Sequence, residues 1–445
     1  MEELIHKRIH LTSFQTIILG FAGVILLGAL LLMLPISSSS RVVTPFHEAL
    51  FTSTSAVCVT GLIVQDTGTY WSVFGQTILI ILIQIGGLGI MTVAAFFALL
   101  SGKKISLMQR STMQEAIAAH KLGGIVRLTG FVLTVTFFVE LVGALAMMPV
   151  FCKDYGLEGV WMSVFHSISA FCNAGFDILG TADSLYPSVT AYVGNATINI
   201  TIMLLIIMGG MGFLTWEDIF THRHHIKRYR MQSKVILVVT AILILVPALF
   251  FYFFEFTELP MKERILSSFF QSVTPRTAGY NTVNLAAMSG AGQAIMIILM
   301  LIGGSPGSTA GGMKTTTFAV LLANAFAIFR RKEDAEVFGR RVDSASVKSA
   351  ATILMMYMTL FFGGALVISV VEQLPLSVCL YETASAVGTV GLTLGITPEL
   401  GMVSQGILIV LMFLGRVGGL TFVYAAFSES DKKLSKMPLE RITVG

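Results

Sequence analysis

The chain has 445 residues, 55% of them hydrophobic and only 12% charged, with a mean hydropathy of +0.82. Soluble domains carry about a quarter charged residues, so this composition excludes one and indicates an integral membrane protein. The net charge of +4 and pI near 8.8 imply no nucleic-acid partner, because the basic residues are spread among short loops between apolar runs.

Apolar runs fall near residues 13–35, 74–100, 128–150, 195–215, 235–256, 292–326, 350–371 and 404–427. Each is near or above the roughly 20 residues needed to cross a hydrocarbon core, which predicts eight spans. The charged opening MEELIHKRIH is followed by an apolar run too long for a signal-peptide core, so this span is expected to remain in the mature chain. Lys and Arg concentrate at Lys7 and Arg8, in 101–127, 217–234 and 329–348, and after residue 428, leaving the alternate connections poor in positive charge. Basic loops stay on the cytoplasmic side, which predicts two cytoplasmic termini. The expected segmentation is an N-terminus 1–12, pore units 13–100, 128–216, 235–328 and 349–428, cytoplasmic loops 101–127, 217–234 and 329–348, and a tail 429–445.

Cys58, Cys152, Cys172 and Cys379 have no CxxC spacing and no partnering His cluster, so neither a metal site nor a disulfide framework is read. HRHH at 222–225 adjoins Lys227, Arg228 and Arg230 and reads as an interfacial basic loop.

Between the two spans of each unit the chain repeats itself. FTSTSAVCVTGL, FHSISAFCNAGF, FFQSVTPRTAGY and YETASAVGTVGL align on Gly61, Gly175, Gly279 and Gly391, each with an aromatic residue ten positions earlier. Segments this short cannot span a bilayer as helices, and their non-helical ends survive there only if protein or water surrounds them. Four copies entering from one side can face one another around an axis, the geometry of a pore. The first part of each, such as 45–56, suits a half-length helix whose negative C-terminal end favours a cation. The rest is extended, so its carbonyls can replace an ion's water shell. Glycine ends each copy because it takes positive φ without strain. The expected fold class is an all-α membrane protein of four helix, pore-loop, helix units.

In the second span of the third unit, LIGGSPGSTAGGMKTTT at 301–317 cannot hold a continuous helix. The break begins 24 residues past Gly279, on the cytoplasmic side, where a gate would block conduction. Gly303-Gly304-Ser305-Pro306-Gly307 formally matches a nucleophile elbow, which leaves a serine hydrolase using Ser305 and His166 as a remote rival. No Asp or Glu is read well inside a span. Glu140 and Glu255 are placed in the outer parts of theirs, while Asp66 and Asp177 follow filter glycines and could attract cations. This favours a channel-like path over an ion-coupled secondary transporter, the alternative. Arg416 lies 25 residues past Gly391 on the final span. An Arg there needs a polar cavity or partner, so it is expected to face the pore below the filter, opposing cation passage and holding loop carbonyls.

The fourfold pattern, with single glycines instead of the TVGYG of tetrameric potassium channels, resembles the Trk/Ktr/HKT superfamily of potassium transporters over essentially the whole chain, and most closely the membrane subunits of bacterial Ktr uptake systems. The resemblance implies a potassium filter at Gly61, Gly175, Gly279 and Gly391. Carbonyl ligands would come from Val59, Thr60, Asn173, Ala174, Thr277, Ala278, Thr389 and Val390. It implies an intramembrane gate at 303–314, with Gly303, Gly304, Ser305, Pro306, Gly307, Gly311, Gly312 and Lys314, and a pore-facing Arg at Arg416. It further implies potassium as substrate, no cofactor on this chain, and a homodimer in the lipid of the bacterial plasma membrane. The partner would be a cytoplasmic, KtrA-like regulatory ring carrying ATP or ADP. Pro275 and Arg276 depart from the pattern of the other copies, which puts equal contribution of the four segments in question.

Overall fold

In the computed structural model, residues 12–90, 92–94, 112–114, 125–418 and 440 are described. The expected N-terminal segment, most of loop 101–127 and the tail lie outside them, apart from Thr12, the last residues of that loop, 112–114 and Glu440.

Several helices begin where a capping side chain meets an apolar run. Thr12 accepts from the Gln15 amide at 3.2 Å while the Gln15 side chain accepts from the Thr12 amide at 3.1 Å, a reciprocal cap that starts α1, Ser13–Leu32. The rest of the first unit is α2, Phe46–Cys58, and α3, Val73–Leu88. The second unit is α4, Ile125–Tyr155, α5, Glu158–Phe171, and α6, Ala196–Gly210, continued by α7, Phe213–His222. The third is α8, Met231–Phe250, α9, Met261–Val273, and α10, Gly290–Leu301, continued by α11, Thr315–Phe329. The fourth is α12, Ser344–Glu372, α13, Leu376–Gly388, and α14, Met402–Val417. A small hairpin, β1 Glu336–Val337 against β2 Arg340–Arg341, joins the last two units. Pro45, Pro260 and Pro375 immediately precede α2, α9 and α13, where the missing N–H costs nothing and the fixed φ aims the chain into the first turn.

Among the described residues four helical stretches are long and apolar enough to cross a membrane: Ser13–Leu32, Val126–Tyr155, Met231–Glu255 and Ser344–Glu372. They are the first helices of the four units. The second helices are shorter, and α6 and α7 together pass the same test only as a pair bent by 96°. Two boundaries differ from expectation, since α8 starts at Met231 and α12 at Ser344, inside the two loops read as cytoplasmic.

The four units close into a ring. In each, the half-length helix packs between the two longer ones, and the second helix also packs on the half-length helix of the next unit: α3 on α5, α6 on α9, α10 on α13, and α14 back on α2. Leu26, Leu27 and Leu30 of α1 and Leu141 and Leu145 of α4 are exposed, whereas Thr52, Ser53, Thr54 and Ser55 of α2 are buried. An apolar exterior around a hydroxyl-rich interior suits a lipid surround, in which buried polar groups must bond to one another.

The hydroxyls explain the composition of the repeats. Ser53 Oγ donates to the Ile25 carbonyl at 2.7 Å, Ser167 Oγ to Glu140 at 2.6 Å and Ser272 Oγ to Ile244 at 2.5 Å, each tying a half-length helix to the first helix of its unit. Gly28 and Gly143 make the approach possible, because a Cβ at either would run into the Ser53 or Ser167 hydroxyl. Ser272 also reaches the Leu243 carbonyl at 3.3 Å, the acceptor left free because Pro247 has no N–H to return to it. Replacing Ser167 with Ala is expected to cost about 1 kcal/mol, as a single interhelical hydrogen bond does, and Gly143→Val substantially more. Thermal unfolding of the detergent-solubilised protein should rank them parent, Ser167→Ala, Gly143→Val.

Candidate functional site

Each repeat carries a second hydroxyl two residues after the first, and it holds the extended segment. Ser55 Oγ accepts from the Gly61 amide and Ser385 Oγ from the Gly391 amide, both at 3.0 Å. Ser169 Oγ donates to the Phe176 carbonyl at 2.8 Å and Thr274 Oγ1 to the Tyr280 carbonyl at 2.5 Å. So fixed, the four segments share one backbone shape. The residue two before each glycine is left-handed, with φ of 58° at Val59, 59° at Asn173, 69° at Thr277 and 52° at Thr389, and the glycines follow at 94°, 70°, 86° and 91°. A left-handed Val or Thr is strained, and its recurrence in all four segments marks a backbone path enforced by the surrounding contacts.

The glycines meet. A Cβ added to Gly61 would strike the Ala174 carbonyl oxygen, on Gly175 that of Ala278, on Gly279 that of Val390, and on Gly391 that of Thr60. The carbonyl preceding each glycine thus lies against the glycine of another unit, and the four contacts close a circle. Any side chain here would fill it.

Unit three departs from the glycine-based alignment in register. Phe269, the residue aligned with Phe51, Phe165 and Tyr381, is 39% exposed, whereas Phe270 is fully buried. Likewise Ser272 and Thr274 sit one residue nearer the glycine than Ser53 and Ser55, Ser167 and Ser169, or Thr383 and Ser385. The helix stops at Val273 and a turn through Pro275 and Arg276 restores the path. Pro275 cannot donate, so the Ala278 amide returns to Thr274, where the matching amides of the other units return to Ser55, Ser169 and Ser385. The buried Arg276 donates to Thr240 Oγ1 at 3.2 Å.

Beneath the ring, every second helix breaks at a related motif that the alignment on Gly61, Gly175, Gly279 and Gly391 does not include: IGGLG at 85–89, MGGMG at 208–212, IGGSPG at 302–307 and LGRVG at 414–418. Gly89 and Gly418 cap the ends of α3 and α14 at φ 82° and 87°, and Gly212 caps the start of α7 at φ 90°. The first glycine of the motif allows close approach to a half-length helix, since a Cβ at Gly86, Gly209 or Gly415 would strike the carbonyl of Val57, Phe171 or Val387. Arg416 occupies the position of the second glycine.

In unit three the break opens into a loop, 303–314, whose ends pair as Ile302 with Met313. It crosses under the ring and bonds to the other units. The Ser305 amide donates to Gly210 O at 3.0 Å, the Thr309 amide to Gly209 O at 3.2 Å and the Gly312 amide to Gly415 O at 3.1 Å. A Cβ on Gly311 would meet the Thr389 hydroxyl, and one on Gly312 the Gly388 carbonyl. Lys314 Nζ donates to Ala310 O at 2.8 Å and Gly311 O at 3.2 Å. Arg416 donates to Thr309 O and Gly86 O, and to Gly87 O at 3.1 Å, bracing the loop against unit one. Gly307, Pro306, Lys314 and Arg416 border a cavity of about 270 Å³ below.

Ser305 and His166 do not form a dyad: Ser305 Oγ pairs with Thr315 Oγ1 at 3.1 Å and His166 Nδ1 with Met162 O at 2.7 Å. Asp66 is spent on loop closure, accepting from the Thr69 and Tyr186 amides at 2.9 Å each, and Asp177 accepts from the Leu179 amide at 3.2 Å. Two carboxylates lie deeper than the sequence suggested. Glu140, expected in the outer part of its span, sits at the middle of α4, and it accepts from Gln84 Nε2 at 3.1 Å. Glu382, inside α13, accepts from Thr393 and Thr397 and is fully buried. Its alternation with hydroxyl residues gives no cue that it is interior.

A ring of four half-length helices, each ending in a glycine loop, within an apolar shell defines a class of multi-pass membrane proteins. Residues 6–436 match the family described as TrkH, cation transport protein, and the chain belongs to that family. It is 40% identical to the potassium/sodium uptake protein NtpJ of Enterococcus hirae, covering 100% of this chain and 99% of the relative. It is 38% identical to the Ktr system potassium uptake protein B of Bacillus subtilis, with 99% and 98% covered. Its fold matches the crystal structure of the potassium transporter TrkH from Vibrio parahaemolyticus with a TM-score of 0.74 at 18% identity, over 94% of this chain and 86% of that one.

Because a carbonyl faces each first glycine of the motif, Gly86→Ala, Gly209→Ala and Gly415→Ala are each expected to cost about 1–3 kcal/mol by overpacking. Gly23→Ala, with nothing within 4 Å, should be neutral or mildly stabilising. Monodisperse yield and melting temperature of the four variants give the comparison.

Proposed function

We propose that this chain is the potassium-translocating membrane subunit of a bacterial uptake system, and that potassium passes through the glycine ring. The observation that carries the reading is the closed circle of four left-handed segments, each setting a carbonyl against another unit's glycine. Backbone oxygens at the ends of four inward-directed helices offer a dehydrating cation a replacement shell and the negative ends of four helix dipoles. The names of the relatives, potassium uptake proteins matched over nearly their full length, support potassium as the substrate. Each unit contributes two spans, so that eight spans with cytoplasmic termini surround the path, and the extended segments are re-entrant pore loops.

On this reading residues 303–314 are the gate. They lie under the ring, held by backbone bonds, by the Ser305 and Thr309 hydroxyls and by two tethered cations, Lys314 and Arg416. A guanidinium below the filter opposes cation passage while it keeps the loop in place. No cofactor is needed on this chain; a homodimer seated on a cytoplasmic ring that binds ATP or ADP would supply the signal to open.

Rubidium and sodium uptake by a transport-deficient host tests the filter. Gly279→Ser adds a side chain where φ is 86° and a carbonyl stands in the way, so potassium affinity and the potassium-to-sodium ratio should both fall; parent values here and at Gly61, Gly175 and Gly391 would remove the filter. For the gate, Arg416→Ala and a shortened 303–314 loop should each raise flux and weaken dependence on the cytoplasmic ring, with Arg416→Ala leaving the ratio near the parent's. Unchanged or reduced flux in well-inserted protein would overturn the gate.

A further inference from the structure

Among the left-handed filter residues only Asn173 has a side chain that reaches both ways. Its amide nitrogen donates to the Arg276 carbonyl at 3.2 Å and to Thr277 Oγ1 at 3.4 Å, in the third filter segment. Its amide oxygen accepts from Thr309 Oγ1 at 3.2 Å, in the loop beneath. Val59 and Thr389 make no such bridge: Val59 has no polar side-chain atom, and the Thr389 hydroxyl is buried without a partner. Thr309 is itself bound on every side. Its hydroxyl is shared with the Phe171 carbonyl at 3.0 Å, its amide goes to Gly209 O, and its carbonyl receives Arg416. Gly209 leaves the space for this junction, since a Cβ there would lie 2.7 Å from Asn173 Oδ1 and 2.8 Å from Thr309 Oγ1.

We propose that Asn173 is a positioning residue that couples the loop to the filter: its amide holds the third filter segment only while Thr309 holds the amide. The inference rests on the filter and gate reading above. While the loop is seated the Asn173 amide is fully buried, has no access to water and relies on Thr309 as the donor to its oxygen. When the loop withdraws, Thr309 leaves with it, and the Asn173 amide reorients toward the water that takes the loop's place, releasing its hold on Arg276 and Thr277. By reciprocity, an ion that favours the intact third segment favours the seated loop by the same factor. The coupled element is unit three, which supplies both the loop and the filter segment with the shortened register.

The test uses the full chain in proteoliposomes, reading rubidium and sodium fluxes. Thr309→Val keeps the shape but removes the donor, and it should lower the rubidium-to-sodium ratio by about threefold or more although residue 309 lies outside the ring. Thr309→Ser should restore the ratio. Asn173→Ala should lower it as well, and the double variant should be no worse than the more severe single one. A Thr309→Val protein with altered flux and the parent ratio, or effects that multiply in the double variant, would overturn the coupling. A loop deletion that leaves flux unchanged would instead overturn the gate reading. If Thr309→Val does not insert, the half-buried Ser308 offers a second measurement: the rate at which a thiol reagent modifies Ser308→Cys should differ between potassium and sodium, and Asn173→Ala should abolish the difference. Equal rates in both ions, or a difference that survives Asn173→Ala, would also overturn it.

Discussion

Non-helical backbone in an apolar interior has to find partners within the protein, because lipid offers none, and this constraint accounts for most of what distinguishes the chain from a bundle of plain spans. Four segments leave helical geometry at the ring, and four second helices break beneath it. The hydroxyl pairs dispose of part of the debt: one hydroxyl in each of three half-length helices takes a carbonyl of the first helix, and the next fixes an end of the extended segment. Loop 303–314 disposes of more by trading amides and carbonyls with Gly209, Gly210 and Gly415. The carbonyls of Thr60, Ala174, Ala278 and Val390 are turned toward neighbouring glycines, and it is these that the proposed function gives to the ion.

Repetition solves the problem four times at low sequence cost, and the departures from it fall where the units must differ. In the G-G-x-G breaks, unit three extends the break into a loop and unit four replaces a glycine with Arg416. The two changes complement each other. A longer excursion of backbone brings more unpaired carbonyls under the ring, and the guanidinium from unit four supplies donors to one of them and to two in unit one. Unit three also ends its half-length helix farther from the glycine, at Val273 before Gly279 where unit one runs to Cys58 before Gly61, with a turn through Pro275 in between.

Much of this could be read from the chain. The four glycines stand out because their surroundings repeat, and Arg416 because an arginine in an apolar run needs a reason. The register of unit three was not legible, since aligning on glycine assumes equal numbers of residues between helix and glycine, and only the burial of Phe270 over Phe269 exposes the difference. The break motif was visible as IGGLG, MGGMG, IGGSPG and LGRVG, but its glycines are spread among apolar residues that read equally well as continuous helix. Glu140 was expected in the outer part of its span, although it lies near the middle of the apolar run 128–150 as well as of the helix Ile125–Tyr155. Partner choices such as Asn173 with Thr309 depend on residues more than a hundred positions apart and leave no local trace.

The loop's attachments bear on how the proposed gate can work at all. A plug built from large apolar side chains would pack tightly and open slowly, whereas residues 303–314 are mostly small and are held largely by hydrogen bonds to backbone, each of about 1 kcal/mol net. Such an arrangement is stable in sum and can be undone bond by bond. The carbonyls of Thr309, Ala310 and Gly311 currently accept from Arg416 and Lys314; the same oxygens, freed, are the ligand type a potassium ion uses. On the proposed reading, the fixed cations and the moving one therefore compete for oxygens of one kind, and the closed state is the one in which the protein's own charges occupy them.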